Sequence, residues 1–168
     1  MVVRLHTFLF ADLVDFTRFA AQCGDERAAD LATEFQQRVR ALASVLGCET
    51  VSTHGDAVLV RSDDVEQALA LGDVIVRLSA AGALPQVRVG LDTGSASRRG
   101  RDWFGTTVNT ASRVTAAAGA GELLLSERSR DASAAARCAT VRRLGRRRLK
   151  GLCAQTLYSV GTFGQTTA

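Results

Sequence analysis

The sequence predicts an α+β sandwich of the ferredoxin-like kind, a mixed and mainly antiparallel sheet with helices packed on one face. Three observations predict it. Strand-like and helix-like periodicities alternate along the chain. Two tight hairpins interrupt that alternation, so the sheet cannot be wholly parallel. A length of 168 residues with 46% hydrophobic composition and one proline suits one compact domain with its own core and is too short for two. The domain is expected to span 1–168, with its core at about 5–160 and a frayed tail over 161–168.

Val2 to Phe10 is rich in β-formers and ends in Ala11-Asp12, which predicts a mostly buried strand running into a loop, Leu13 to Thr17. Ala28, Leu31, Ala32, Phe35, Val39, Leu42, Ala43 and Leu46 then recur at three- and four-residue steps, one face of a long helix, with Gly47 where a C-terminal cap belongs. Cys48 to Thr53 and Ala57 to Val60 predict strands joined through His54-Gly55-Asp56 as a hairpin. Asp63 or Asp64 can cap a second helix that turns Val65, Ala68, Leu69, Gly72, Ile75 and Val76 inward and ends near Gly82 and Pro85.

Val87 to Leu91 predicts a strand, and residues 94–102 a glycine- and arginine-bearing loop. A third helix follows from about Phe104 to Ala118, closed by Gly119 and Gly121. Leu123 to Leu125 is a short strand, Ser126 caps a brief helix, and Val141 to Leu149 with Thr156 to Val160 make a final strand pair.

No run of about 18 apolar residues exists, and the N-terminus lacks the order of a secretory signal, so a cytoplasmic protein without a membrane segment is expected. Cys23, Cys48, Cys138 and Cys153 show no Cys-x-x-Cys pairing, which speaks against a zinc ribbon or a disulfide framework. The net charge of +4 is unevenly placed: Arg142, Arg143, Arg146, Arg147, Arg148 and Lys150 crowd one stretch. Such a cluster suits a polyanion, a triphosphate or a nucleic acid, or guards a solvated hairpin edge from pairing. Only 5% of residues are aromatic and none interleaves these arginines, which weakens the nucleic-acid reading.

Two carboxylates carry the first chemical signal. Asp12 ends a buried strand, Asp56 sits at a hairpin tip, and central strands of such a sheet can bring the two together as an oxygen site for a hard cation. Singly, Asp12 could cap the next helix and Gly55-Asp56 is ordinary turn chemistry. Asn109 and Arg113 are four residues apart and share a helical face, able to orient a hydroxyl and grip an anionic oxygen, or simply to face solvent. Asp102 is placed in the preceding loop, where a carboxylate can accept an exocyclic amine or merely add solubility.

Four ordered segments carry a family likeness: Phe10-Ala11-Asp12-Leu13-Val14-Asp15-Phe16-Thr17, His54-Gly55-Asp56, Asp102-Trp103-Phe104-Gly105-Thr106-Thr107-Val108-Asn109-Thr110-Ala111-Ser112-Arg113, and Leu149-Lys150-Gly151. In this the chain resembles the class III nucleotidyl cyclases, the adenylate and guanylate cyclase catalytic domains, over about residues 5–160. The resemblance is to the bacterial adenylate cyclase type and implies the nucleotidyl cyclase fold and ATP as substrate. It implies that Asp12, Asp56 and the Leu13 carbonyl hold two divalent ions, Mg2+ or Mn2+, and that backbone groups of Phe16 and Thr17 face the phosphates. Asn109 would orient the ribose, Arg113 stabilise charge at the α-phosphate, Lys150 hold the triphosphate tail and Asp102 read the base. It also implies a head-to-tail homodimer, the metal aspartates coming from one chain and Asp102, Asn109 and Arg113 from the other.

One position departs from the pattern. Family members that select adenine usually carry a lysine four residues before the second metal aspartate, and here Ser52 stands there. A serine hydroxyl donates only a short, neutral bond. Asp102 still argues for ATP, because its oxygens match the adenine amine and repel the guanine carbonyl. The competing expectations are a guanylate or relaxed-specificity cyclase, a catalytically silent nucleotide-binding regulator, and, weakest, an arginine-rich nucleic-acid module on the same layout.

Overall fold

A computed structural model describes residues 4–138 and 141–161; the expected fraying after residue 161 lies outside the described residues. Strand β1 (His6–Leu13) is followed by helices α1 (Phe16–Cys23) and α2 (Asp25–Val45), the hairpin β2 (Glu49–His54) and β3 (Ala57–Ser62), and α3 (Val65–Ala80). Then come β4 (Val87–Gly94), a ribbon of β5 (Ser97–Arg99) and β6 (Asp102–Phe104), and α4 (Thr106–Ala117). The chain closes with β7 (Leu123–Ser126), α5 (Glu127–Ala132), α6 (Ala134–Cys138), β8 (Val141–Arg147) and β9 (Gln155–Val160).

Seven strands form one sheet in the order β2-β3-β1-β4-β7-β9-β8. The β4–β7 pair is parallel and every other neighbour pair is antiparallel, the mixed sheet that two hairpins predict. Alternation along β1 sorts its side chains: Leu9, Ala11 and Leu13 enter the core shared with α2 and α3, whereas Phe8 packs on the other face with Leu59 and Ala111 of α4. Helices therefore cover both faces, not one as expected. The reason is Gly90, whose missing side chain lets α4 press onto β4: a Cβ there would lie 2.3 Å from the Thr115 backbone nitrogen.

The predicted stripe of the long helix holds on α2. Ala28, Ala32, Phe35, Val39 and Ala43 are buried, and Leu31, Leu42 and Leu46 pack beside them. The segment before it is not only loop: β1 continues through Asp12 and Leu13, and α1 begins at Phe16, divided from α2 by Gly24 at φ 88°. Asp64, not Asp63, caps α3 by accepting from the Glu66 N–H at 2.8 Å. Leu71 and Asp73 are buried on α3 as well, Asp73 pairing with Arg77 one turn on at 2.6 Å.

Two further elements differ from expectation. The stretch expected as a loop contains the β5–β6 ribbon, so Asp102 lies on a strand, and α4 starts at Thr106 after Gly105 rather than at Phe104. The arginines of β8 are exposed on a strand that ends the sheet, interrupted by a bulge at Gly145, an arrangement that blocks edge-to-edge pairing. No helix among the described residues is long and apolar enough to cross a membrane.

Candidate active site

Register brings the two aspartates together. Asp12 of β1 stands opposite Ala57 of β3 on one side and Arg88 of β4 on the other, and Asp56 immediately precedes Ala57 in the hairpin. The Leu13 N–H donates to the Asp56 carbonyl at 3.2 Å, which ties the strand end to the hairpin tip. Gly55 makes that tip possible with φ 56°.

Charge at the pair is unbalanced. Arg88 donates to Asp12 Oδ2 through Nε at 2.9 Å and Nη2 at 2.6 Å. The Asp56 carboxyl is pushed up from 3.8 to about 6, first by burial, then by the charge of Asp12 beside it and a hydrogen bond between the two; Arg88 offsets part of this. A carboxyl held back from ionising by burial and by the charge of Asp12 makes a site that a cation would relieve.

A pocket of about 550 Å³ opens beside the pair, lined by Asp56, Leu13, Val14, Asp15, Phe16, Thr17 and Arg88, the last of which holds Asp12. Its wall includes the first turn of α1. Asp15 holds φ 56°, the left-handed region that few residues besides glycine enter, and its side chain makes no capping bond. The first N–H groups of α1 consequently have no side-chain acceptor, the condition that favours an anion there.

The donors fit a hard divalent ion. They are oxygens only, two carboxylates with Leu13 lining the same pocket, and no group of three or more His, Cys, Asp or Glu suited to a metal exists among the described residues. Such a partial shell leaves coordination positions for water or phosphate oxygen, as Mg2+ and Mn2+ prefer.

The remaining predicted residues lie elsewhere. Asn109 and Arg113 are exposed on the outer face of α4, whose other side buries Thr107, Thr110, Ala111, Val114 and Thr115. Asp102 is exposed on β6, and Lys150 is exposed in the turn after β8, beside buried Leu149. Ser52 is half-buried on edge strand β2, its hydroxyl 3.5 Å from His54 Nδ1. None of these five lines the pocket, so a single chain brings together only Leu13, Asp56, Phe16 and Thr17 on its wall, with Asp12 beside Asp56 and held by Arg88.

Sequence reasoning missed Arg88. The available signal was a lone charge inside the apolar run Val87-Arg88-Val89, where a buried strand has no use for a guanidinium without a partner.

The family described as the adenylate and guanylate cyclase catalytic domain matches residues 4–162. An adenylate cyclase of Streptomyces coelicolor is 38% identical over 119 residues, covering 70% of this chain and 31% of that protein. A pH-sensitive adenylate cyclase of Mycobacterium tuberculosis is 35% identical over 133 residues, covering 75% of this chain and 32% of that protein. The chain thus spans about a third of the length of the curated relatives it matches.

Solved structures agree on the fold. The guanylate cyclase domain of RhGC from Catenaria anguillulae in complex with GTP superposes with TM-score 0.81 at 24% identity, over 95% of this chain and 97% of that one. The adenylyl cyclase CyaB from P. aeruginosa gives 0.79 at 22% identity, over 96% and 95%. With its sheet, its ordered segments and a match across nearly all its length, this chain belongs to the adenylate and guanylate cyclase catalytic domain family.

Proposed function

We propose that residues 1–168 act as one catalytic domain that converts ATP to 3′,5′-cyclic AMP and pyrophosphate, as an adenylate cyclase. The observation that carries the reading is Asp56, paired with Asp12, on the wall of a pocket formed also by the N-terminus of α1. Relatives named adenylate cyclase at 35–38% identity support ATP as the nucleotide.

Asp12, Asp56 and the Leu13 carbonyl would hold two divalent ions, Mg2+ or Mn2+. Bound there, such ions supply charge neutralisation at the phosphates and acidify the ribose 3′-hydroxyl. The Phe16 and Thr17 N–H groups would donate to phosphate oxygens, and Arg88, which holds Asp12 through Nε and Nη2, would add positive charge beside the same anion. The 3′-oxygen attacks the α-phosphorus in line, the bond to the bridging oxygen of the β-phosphate breaks, and pyrophosphate leaves. No protein nucleophile is required, so positioning and electrostatics provide the catalysis.

Asn109, Arg113, Asp102 and Lys150 lie outside the pocket of their own chain. A head-to-tail homodimer accounts for this: the second chain brings Asn109 to the ribose, Arg113 to the α-phosphate and Asp102 to the adenine amine, with Lys150 on the triphosphate tail. Ser52 offers the base a neutral hydroxyl in place of a lysine, which favours a weaker rejection of GTP than a lysine gives.

The test incubates the protein with Mn2+ and either ATP or GTP and identifies products by mass spectrometry. Cyclic AMP exceeding cyclic GMP is the expected result. A GTP rate above the ATP rate makes the domain a guanylate cyclase; nucleotide binding without any product makes it a silent regulator.

A further inference from the structure

The β5–β6 ribbon consists of two three-residue strands that pair only with each other. A ribbon that short is not stable on its own in water, so something must hold it to the sheet. Trp103, at the centre of β6, does so. It is half-buried between exposed Asp102 and exposed Phe104, and its ring meets His6 of β1 edge-on at 4.6 Å and Phe8 at 5.7 Å between centroids.

Two guanidinium groups close over the same ring. Arg61 of β3 lies 4.7 Å from its centroid and Arg98 of β5 lies 5.9 Å away. Arg61 is itself held: its side chain is 12% exposed, pairs with Glu49 at 3.0 Å and with Asp63, and donates to His6 Nδ1 at 3.3 Å. Arg98 reaches Glu49 from the other side at 3.6 Å. Trp103 Nε1 is buried without an acceptor among the described residues, so no hydrogen bond orients the indole and stacking with cation contacts must do so.

Strand alternation makes this anchor directional. With Trp103 turned inward, Asp102 must point outward, and a one-residue slip of β6 would bury the carboxylate and expose the indole. Asp102 has no partner of its own among the described residues to fix its direction. Cross-strand it faces Arg99, and Gly105 then leads directly into α4 with Asn109 and Arg113.

We propose that Trp103, clamped by Arg61 and Arg98, is the positioning residue that aims Asp102 at the purine base, so that discrimination between ATP and GTP depends on a cation–aromatic stack remote from the nucleotide. The proposal rests on the cyclase reading above. Arg61 is outside the aspartate pocket, and its stack on Trp103 is the contact that links it to the strand carrying Asp102.

Trp103 is the sole tryptophan in the sequence, which makes the ribbon directly observable by intrinsic fluorescence. The experiment compares wild type with Arg61→Met, which keeps an apolar stem and removes the cation, and Arg61→Lys, which keeps the charge pairs with Glu49 and Asp63 and gives up the flat guanidinium face. Three quantities are read: acrylamide quenching of Trp103, kcat and KM for ATP and GTP, and the thermal midpoint.

In Arg61→Met, quenching should rise about twofold as the ribbon opens. The ATP-over-GTP ratio of kcat/KM should fall about fivefold, through KM for ATP, with kcat nearly unchanged. Arg61→Lys should fall between the two, and it carries the comparison alone if Arg61→Met fails to unfold cooperatively. Raised quenching with unaltered discrimination, or a fall in kcat alone, overturns the positioning role. A wild-type protein that forms no cyclic nucleotide overturns the cyclase reading and this role together, whereas an active wild type with indifferent Arg61 variants overturns only the clamp.

Discussion

Asp56→Asn should stabilise the cation-free protein near neutral pH while abolishing its activity. The wild-type carboxyl is raised from 3.8 to about 6 by burial and by Asp12, so the folded protein binds a proton that the unfolded chain has already released. Between those values the unfolded state carries fewer protons, and stability therefore falls as pH rises from about 4 to about 6. For a wholly buried group the shift would cost about 3 kcal/mol above that window. Asp56 is only half-buried and solvent screens it, which leaves about 1 kcal/mol. Asparagine removes the charge and keeps a hydrogen-bond donor for Asp12, so the thermal midpoint should rise by about 3 °C near pH 7 and show no gain near pH 4. Added Mn2+ supplies the second arm. At ten times its dissociation constant it should stabilise wild type by about 1.4 kcal/mol and the variant much less. Thermal melts across pH, with and without Mn2+, measure both. A variant less stable than wild type near neutral pH, or one stabilised equally by Mn2+, would refute the reasoning.

Asp12→Ala and Arg113→Ala should each be inactive, losing about 100-fold or more in kcat, and mixing them should restore one working site per heterodimer; no recovery in demonstrated heterodimers counts against composite sites. Gly90→Ala places a Cβ 2.3 Å from the Thr115 nitrogen, against backbone that cannot swing away. It should cost about 2–3 kcal/mol, read as a lower denaturant midpoint with an unchanged slope, and a neutral outcome would mean that α4 does not bear on β4 so closely. Ser52→Lys should raise the ATP-over-GTP ratio of kcat/KM by about tenfold, and an unchanged ratio would remove position 52 from the base site.

Local chemistry was legible wherever one element answers to its own periodicity. The α2 stripe, the Gly55-Asp56 hairpin and an α3 cap at Asp63 or Asp64 follow from spacing and from residue types that suit a turn or a helix start. The α1–α2 break was not anticipated, because the eight-residue apolar pattern begins only at Ala28, leaving Gly24 as the sole mark of the boundary. The β5–β6 ribbon is not legible in the sequence, because three-residue strands show too little alternation to separate from glycine-rich coil.

The sequence by itself determined the order of the blocks and the candidates Asp12, Asp56, Asn109 and Arg113, which stand in segments whose likeness is local, but not Arg88. Only the tertiary structure decided their company. Strand pairing set Asp12 opposite Arg88, across 76 positions of sequence that no periodicity relates. Close approach at Gly90 put α4 on the second face of the sheet and turned Asn109 and Arg113 outward, away from the aspartates of their own chain. The raised Asp56 carboxyl has the same origin in the fold: burial and the charge of Asp12 belong to the folded neighbourhood and to neither aspartate alone.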